Sequence, residues 1–160
     1  MSTKAVRKAI VSTLQTVVAG VTLNGHTCTY TLSGPSQVVS GKYERPPASW
    51  PASHPFACVW TVGVEESGAA LSAKEQAGQF SVLCWVPASL QSAEARQDAA
   101  EDMLDDLRAA LRAAPKLGLS YVVRVLAPGT AFADEEDQSA KRLPWGICAV
   151  GVLVVWREAG

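Results

Sequence analysis

The chain has 160 residues, 48% of them hydrophobic, which suits one domain with its own core and argues against disorder. With 14 basic and 15 acidic residues the net charge is −1, so there is no general basic surplus for gripping nucleic acid through its phosphates. The longest apolar run, Ile147 to Trp156, is too short to span a bilayer as a helix.

The chain opens with MSTKAVRKAIVSTLQTVVAG. Lys4, Arg7 and Lys8 resemble the basic start of a signal peptide, but Ser12, Thr13, Gln15 and Thr16 break the apolar stretch behind them. Val6, Ile10, Leu14 and Val17 recur at helical spacing instead, which predicts a helix from Thr3 to about Ala19, ended by Gly20. The expected location is therefore the cytosol where the protein is made. Asn24-Gly25 predicts a tight hairpin turn, and Thr27 to Leu32 alternates like a half-buried strand. Ser33 to Pro55 holds five prolines and reads as one long loop, either an ordered surface excursion or a segment that orders against a partner.

Phe56 to Glu66 reads as a strand with Phe56, Cys58, Trp60, Val62 and Val64 on one face. Residues 65–78 form the tip of a long hairpin that returns as Gln79 to Pro87. There Phe80, Val82, Cys84 and Val86 face one way, and Leu83 and Trp85 the other. Ser89 or Ser92 starts the longest helix, which Pro115 stops. A strand from about Leu119, a polar loop with acids at 134–137, and a last strand apolar on both faces complete the chain. This order predicts an α+β fold: a mostly antiparallel sheet of about four to six strands with two main helices packed on one face. Leu83, Trp85, Val154 or Val155, and Trp156 are then left on the second face, where a second subunit is a natural cover.

No catalytic pattern emerges. Cys28, Cys58, Cys84 and Cys148 are widely spaced and read as buried thiols. His26 and His54 lack metal-ligand spacing to any cysteine. The pairs Glu65-Glu66 and Asp105-Asp106, and the run Asp134 to Asp137, read as solvated charge. The tryptophans read as core or interface packing. Neither an enzyme, a cofactor nor a metal is expected.

Taken in order, KAVRKAIVSTLQTVV, PASHPFACVWTVGVEE, AGQFSVLCWVPASLQSAEARQDAAEDMLDDLRAAL, PKLGLSYVVRVL and LPWGICAVGVLVVWRE resemble the tail terminator (tail completion, or minor tail) proteins of long-tailed bacteriophages. The resemblance spans most of residues 1–160 as a single domain, with the proline-rich loop at 33–55 as a local addition. It implies a structural protein of the virion neck. Such proteins form a hexameric ring on the head-proximal end of the tail tube, stop tube polymerisation and join the tail to head-completion proteins. The implied partners are other copies of the chain, the tube protein and the head-completion or connector proteins, with no specific nucleic-acid or membrane binding. Under that reading the candidate inter-subunit or tube contacts are Glu65, Glu66, Lys74, Glu75, Trp85 and Trp156, with Asp134, Glu135, Glu136, Asp137 and Lys141 as a second loop. The competing readings are another tail or neck component, such as a tube or head–tail joining protein, a small ligand-binding domain, or a cysteine enzyme using Cys58 or Cys84.

Overall fold

A computed structural model describes residues 3–66, 75–87, 92–126, 129–132 and 145–157. Helix α1 (Thr3–Leu14) buries Val6, Ile10 and Leu14, as the spacing predicts. It ends earlier than Ala19. Thr13 bonds back to the Ala9 carbonyl and Thr16 to that of Thr13, and the Thr16 and Val17 amides shift to three-residue turns. Threonine hydroxyls compete with the helical ladder in this way. Val17 is buried even so.

Strands β1 (Thr22–Leu23) and β2 (His26–Thr27) form the predicted hairpin, with Asn24 and Gly25 at φ 49° and 79°. The strand expected to reach Leu32 stops at Thr27. Cys28 N still donates to the Val21 carbonyl, but the following amides turn to Asp106 of helix α2 (Ala93–Ala113), which accepts from Thr29 N and Tyr30 N at 3.0 and 2.8 Å. His26 Nε2 lies 2.7 Å from the same carboxylate. Asp106 is 0% exposed, so it is not the solvated charge expected of the Asp105-Asp106 pair. It pins the hairpin and the segment after it to the middle of α2. Ser92 caps that helix, as predicted, by accepting from Ala95 N.

The proline-rich segment is not wholly irregular. Strand β3 (Val38–Ser40) runs parallel to β4 (Phe56–Glu66). Buried Gln37 fastens it, donating from Nε2 to the Thr31 and Pro55 carbonyls and accepting from Gly34 N. β4 pairs antiparallel with β5 (Glu75–Pro87), and β5 with β8 (Trp145–Arg157). Strands β6 (Val122–Leu126) and β7 (Gly129–Phe132) both pair antiparallel with β8, farther along and nearer its start respectively. The main sheet is ordered β3-β4-β5-β8-β6, with β7 also on β8, and every pairing except β3–β4 is antiparallel. The α+β expectation therefore holds.

Register assigns the faces, because directly opposed residues share one. Ala57, Val59, Phe80, Val82, Cys84, Val150, Val152 and Val154 join Val6, Ile10, Met103 and Leu107 in one core, so both helices pack against this face. Gly146 lets α2 approach closely: a Cβ there would lie 2.3 Å from the Arg96 carbonyl oxygen. Trp156 belongs to this helix-side face and is 0% exposed, which removes it from the second face and from the candidate contacts. Its ring lies 6.4 Å from that of Phe80 and over Gly78, where a Cβ would come within 2.7 Å. The expected alternation of β4 also fails past Thr61. A register shift between Thr61 and Gly63 sends Val64 to the helix-side parity, opposite Gly78, while Phe56, Cys58 and Trp60 stay on the second face.

Two outcomes follow from the Asp106 cluster. Asp106→Ala leaves the Thr29, Tyr30 and His26 donors without their acceptor and should lower unfolding free energy by roughly 3 kcal/mol, whereas exposed Asp105→Ala should change it by less than about 0.5 kcal/mol; urea denaturation measures both. Burial, then the nearby Asp102 and Asp106 carboxylates, push the Tyr30 phenol up to about 12. Its folded-state pKa is raised above the unfolded value near 10, so this contribution is intact below about pH 10 and is lost as pH rises towards 12. Tyr30→Phe should flatten the fall in stability across that window.

Candidate interaction surface

The second face of the sheet divides into a closed end and an open end. At the closed end Phe56, Cys58, Trp85, Trp145 and Ile147 are buried together, with Val39, Trp50, Trp60 and Leu83 packed against them. Phe56 is the hub, with ring centroids at 5.3 Å to Tyr43, 5.2 Å to Trp50 and 5.9 Å to Trp85. Trp50 donates from its indole to the His54 carbonyl, closing a turn within the proline-rich segment, while its ring and that of Tyr43 lay the segment on Phe56 of the sheet. Trp85 is left 2% exposed. Its cover thus comes from the same chain, and Trp85 is removed from the candidate inter-subunit contacts.

The open end lies towards the β4–β5 hairpin. Glu65 stands opposite Ala77, Gln79 opposite Leu153, and Glu75 opposite Arg157, with the last pair 3.9 Å apart. Gly63, Val64, Glu65, Ala77, Gln79 and Leu153 line a shallow depression of about 350 Å³. Val62 is 58% exposed, Val64 39% and, on the far edge, Leu126 51%. Covering large aliphatic side chains contributes about 1.5–3 kcal/mol each when complete, so these three could supply much of a contact's driving force. The structure therefore brings Glu65, Glu66 and Glu75 together at one end of the sheet. Lys74, Asp134, Glu135, Glu136, Asp137 and Lys141 lie outside the described residues.

Sequence reading missed Asp106 and His26 as a pair. The signal was present: Asp106 falls on the buried stripe of α2, between Met103 and Ala110. His–Asp pairs can serve catalysis, but here both Asp106 oxygens accept backbone amides, so the carboxylate is committed to holding the chain. Outside it, Asn24, His26, Asp105, Arg108, Ala109 and Arg112 line a dent of about 130 Å³. Among the described residues no group of three or more His, Cys, Asp or Glu is arranged to hold a metal, and no helix is long and apolar enough to cross a membrane.

All four cysteines are buried and unbridged. Burial pushes the thiols of Cys28, Cys58 and, most strongly, Cys84 up, away from the reactive thiolate. A maleimide at neutral pH should label every cysteine at least about a hundredfold more slowly in the native chain than in denaturant. One fast-reacting native thiol would contradict this account. No protein-family model matches the chain, and no curated protein matches it.

Proposed function

We propose that the chain is a structural protein of a long-tailed phage: a tail terminator that forms a ring at the head-proximal end of the tail tube. The ring ends tube polymerisation and presents a surface to the head-completion proteins. The observation that carries this reading is the unequal cover of the sheet. Helices cover one face and the proline-rich segment half of the other, and both covers stop short of the hairpin end, where Val64 on the helix side, Leu126 on the second face and Val62 at the bulge are exposed. An apolar surface placed at the end of a long hairpin suits packing between subunits. The order of elements, a first amphipathic helix, a long hairpin, a second helix and a late long strand, supports the resemblance drawn from the sequence.

In this reading Glu65, Glu66 and Glu75 sit where the hairpin meets a neighbouring subunit or the tube; Lys74, a further candidate contact, lies outside the described residues. Asp134 to Lys141, outside the described residues, is the second candidate contact segment of this reading. The partners are further copies of the chain, the tube protein and head-completion proteins.

Light scattering combined with negative-stain imaging tests the proposal. The expected result is a uniform ring whose mass is an integral multiple, six in the family the sequence resembles, of 16.9 kDa. The ring should cap the ends of tubes assembled from the tail-tube protein and halt their growth. Tubes that lengthen at an undiminished rate in its presence would overturn the terminator role.

A further inference from the structure

The hairpin end of the sheet has two open edges. β3 accompanies β4 only as far as Val59, so Trp60–Glu66 has β5 on one side and no strand on the other among the described residues. Among the same described residues β6 has β8 on one side and no strand on the other. An open strand offers a row of unpaired amides and carbonyls to another chain.

The two edges complement each other. β4, β5, β8 and β6 follow in order, each antiparallel to the next, so β4 and β6 run in opposite directions. A second copy placed head to tail therefore brings its β4 antiparallel to the β6 of the first. The sheet continues across the junction in the antiparallel sense, and each copy keeps one edge for the next neighbour. A two-fold pairing of β4 with β4 would leave β6 open.

Residue character selects the register. With exposed Arg124 opposite exposed Glu65, Val125 falls opposite Val64 and Leu126 opposite Gly63. Each pair then shares a face in both copies. Arg124 and Leu126 oppose Val155 and Leu153 of β8 on the second face, where Glu65 and Gly63 also lie, opposite Ala77 and Gln79. Val125 and Val64 have the helix-side parity, opposite Val154 and Gly78. Gly63 has open space where a side chain would begin, and it borders the 350 Å³ depression. We infer that β6 of one copy adds to the β4 edge of the next, with Leu126 seated over Gly63 in that depression and Arg124 paired with Glu65. The inference rests on the ring reading for its head-to-tail closure and names the contact that builds the ring.

Charge reversal and cross-linking test it on the full chain. Glu65→Arg and Arg124→Glu should each raise the concentration needed for self-association by about tenfold or more, because like charges then face each other. The double reversal should restore it to within about threefold of the native chain. In a second experiment Glu65→Cys with Arg124→Cys should give disulfide-linked oligomers on mild oxidation, since the four native thiols are buried. Oligomers that ignore both reversals and do not cross-link would overturn this contact while leaving the ring intact. A chain that stays monomeric at millimolar concentration would also overturn it. Cross-linked rings that fail to bind a tail tube would leave the contact standing and remove the tail reading.

Discussion

The rest of the structure depends on the pairing of β5 with β8. The two strands oppose each other from Glu75–Arg157 to Pro87–Trp145, in register along their whole length. Large apolar side chains stand on both faces of this ladder, so it needs cover on both sides to be stable in water. The helix-side cover comes from α1 and α2 and leaves the hairpin end of β4 open, where Val64 is 39% exposed. It is held by apolar stripes and by Gly146, which lets the α2 backbone approach the strand. Asp106 then ties the first hairpin to the middle of α2 through hydrogen bonds that a buried carboxylate cannot lose cheaply.

The opposite face is covered by a different means. A segment with too many prolines for a regular sheet carries Tyr43 and Trp50 onto Phe56, and that aromatic group shields Trp85 and Trp145. This cover reaches only the start of β4 and the end of β5. Towards the hairpin, small and polar side chains such as Gly63, Ala77, Gln79 and Gly151 face outward beside Leu153 and Leu126. The result is an open end that is less apolar than a core and more apolar than an ordinary surface, which is the character of a contact between subunits.

Much of this was legible in the sequence. Helical spacing located α1 and α2, Asn24-Gly25 located the first turn, and period-two alternation located β8 and the Gln79–Pro87 part of β5 with their faces, while Glu75–Gly78, expected in the hairpin tip, extend β5. Three features were not legible for physical reasons. The bulge after Thr61 changes parity without any proline or charge to announce it, so Val64 falls on the helix side, opposite to the face its alternation predicts, and Val62 is left without a partner on β5. Val38–Ser40 is too short to read as a strand, and its place depends on Gln37 reaching carbonyls at Thr31 and Pro55. Trp156 lies at a strand end, where exposure cannot be inferred without knowing that Gly78 leaves room for its ring. Of the candidate contacts, Glu65, Glu66 and Glu75 fall at the open end, while the two tryptophans are spent on the chain's own core.

The central claim is that the hairpin end of the sheet is completed by another copy of the chain. Amide hydrogen exchange, followed on dilute and on concentrated protein, tests it most directly. The account predicts that residues 60–66 and 122–126 exchange quickly in the dilute chain and become protected on concentration, while the central β5 and β8 amides are protected in both. Equal exchange at 60–66 and 122–126 under both conditions, in a sample whose mass shows assembly, would contradict it.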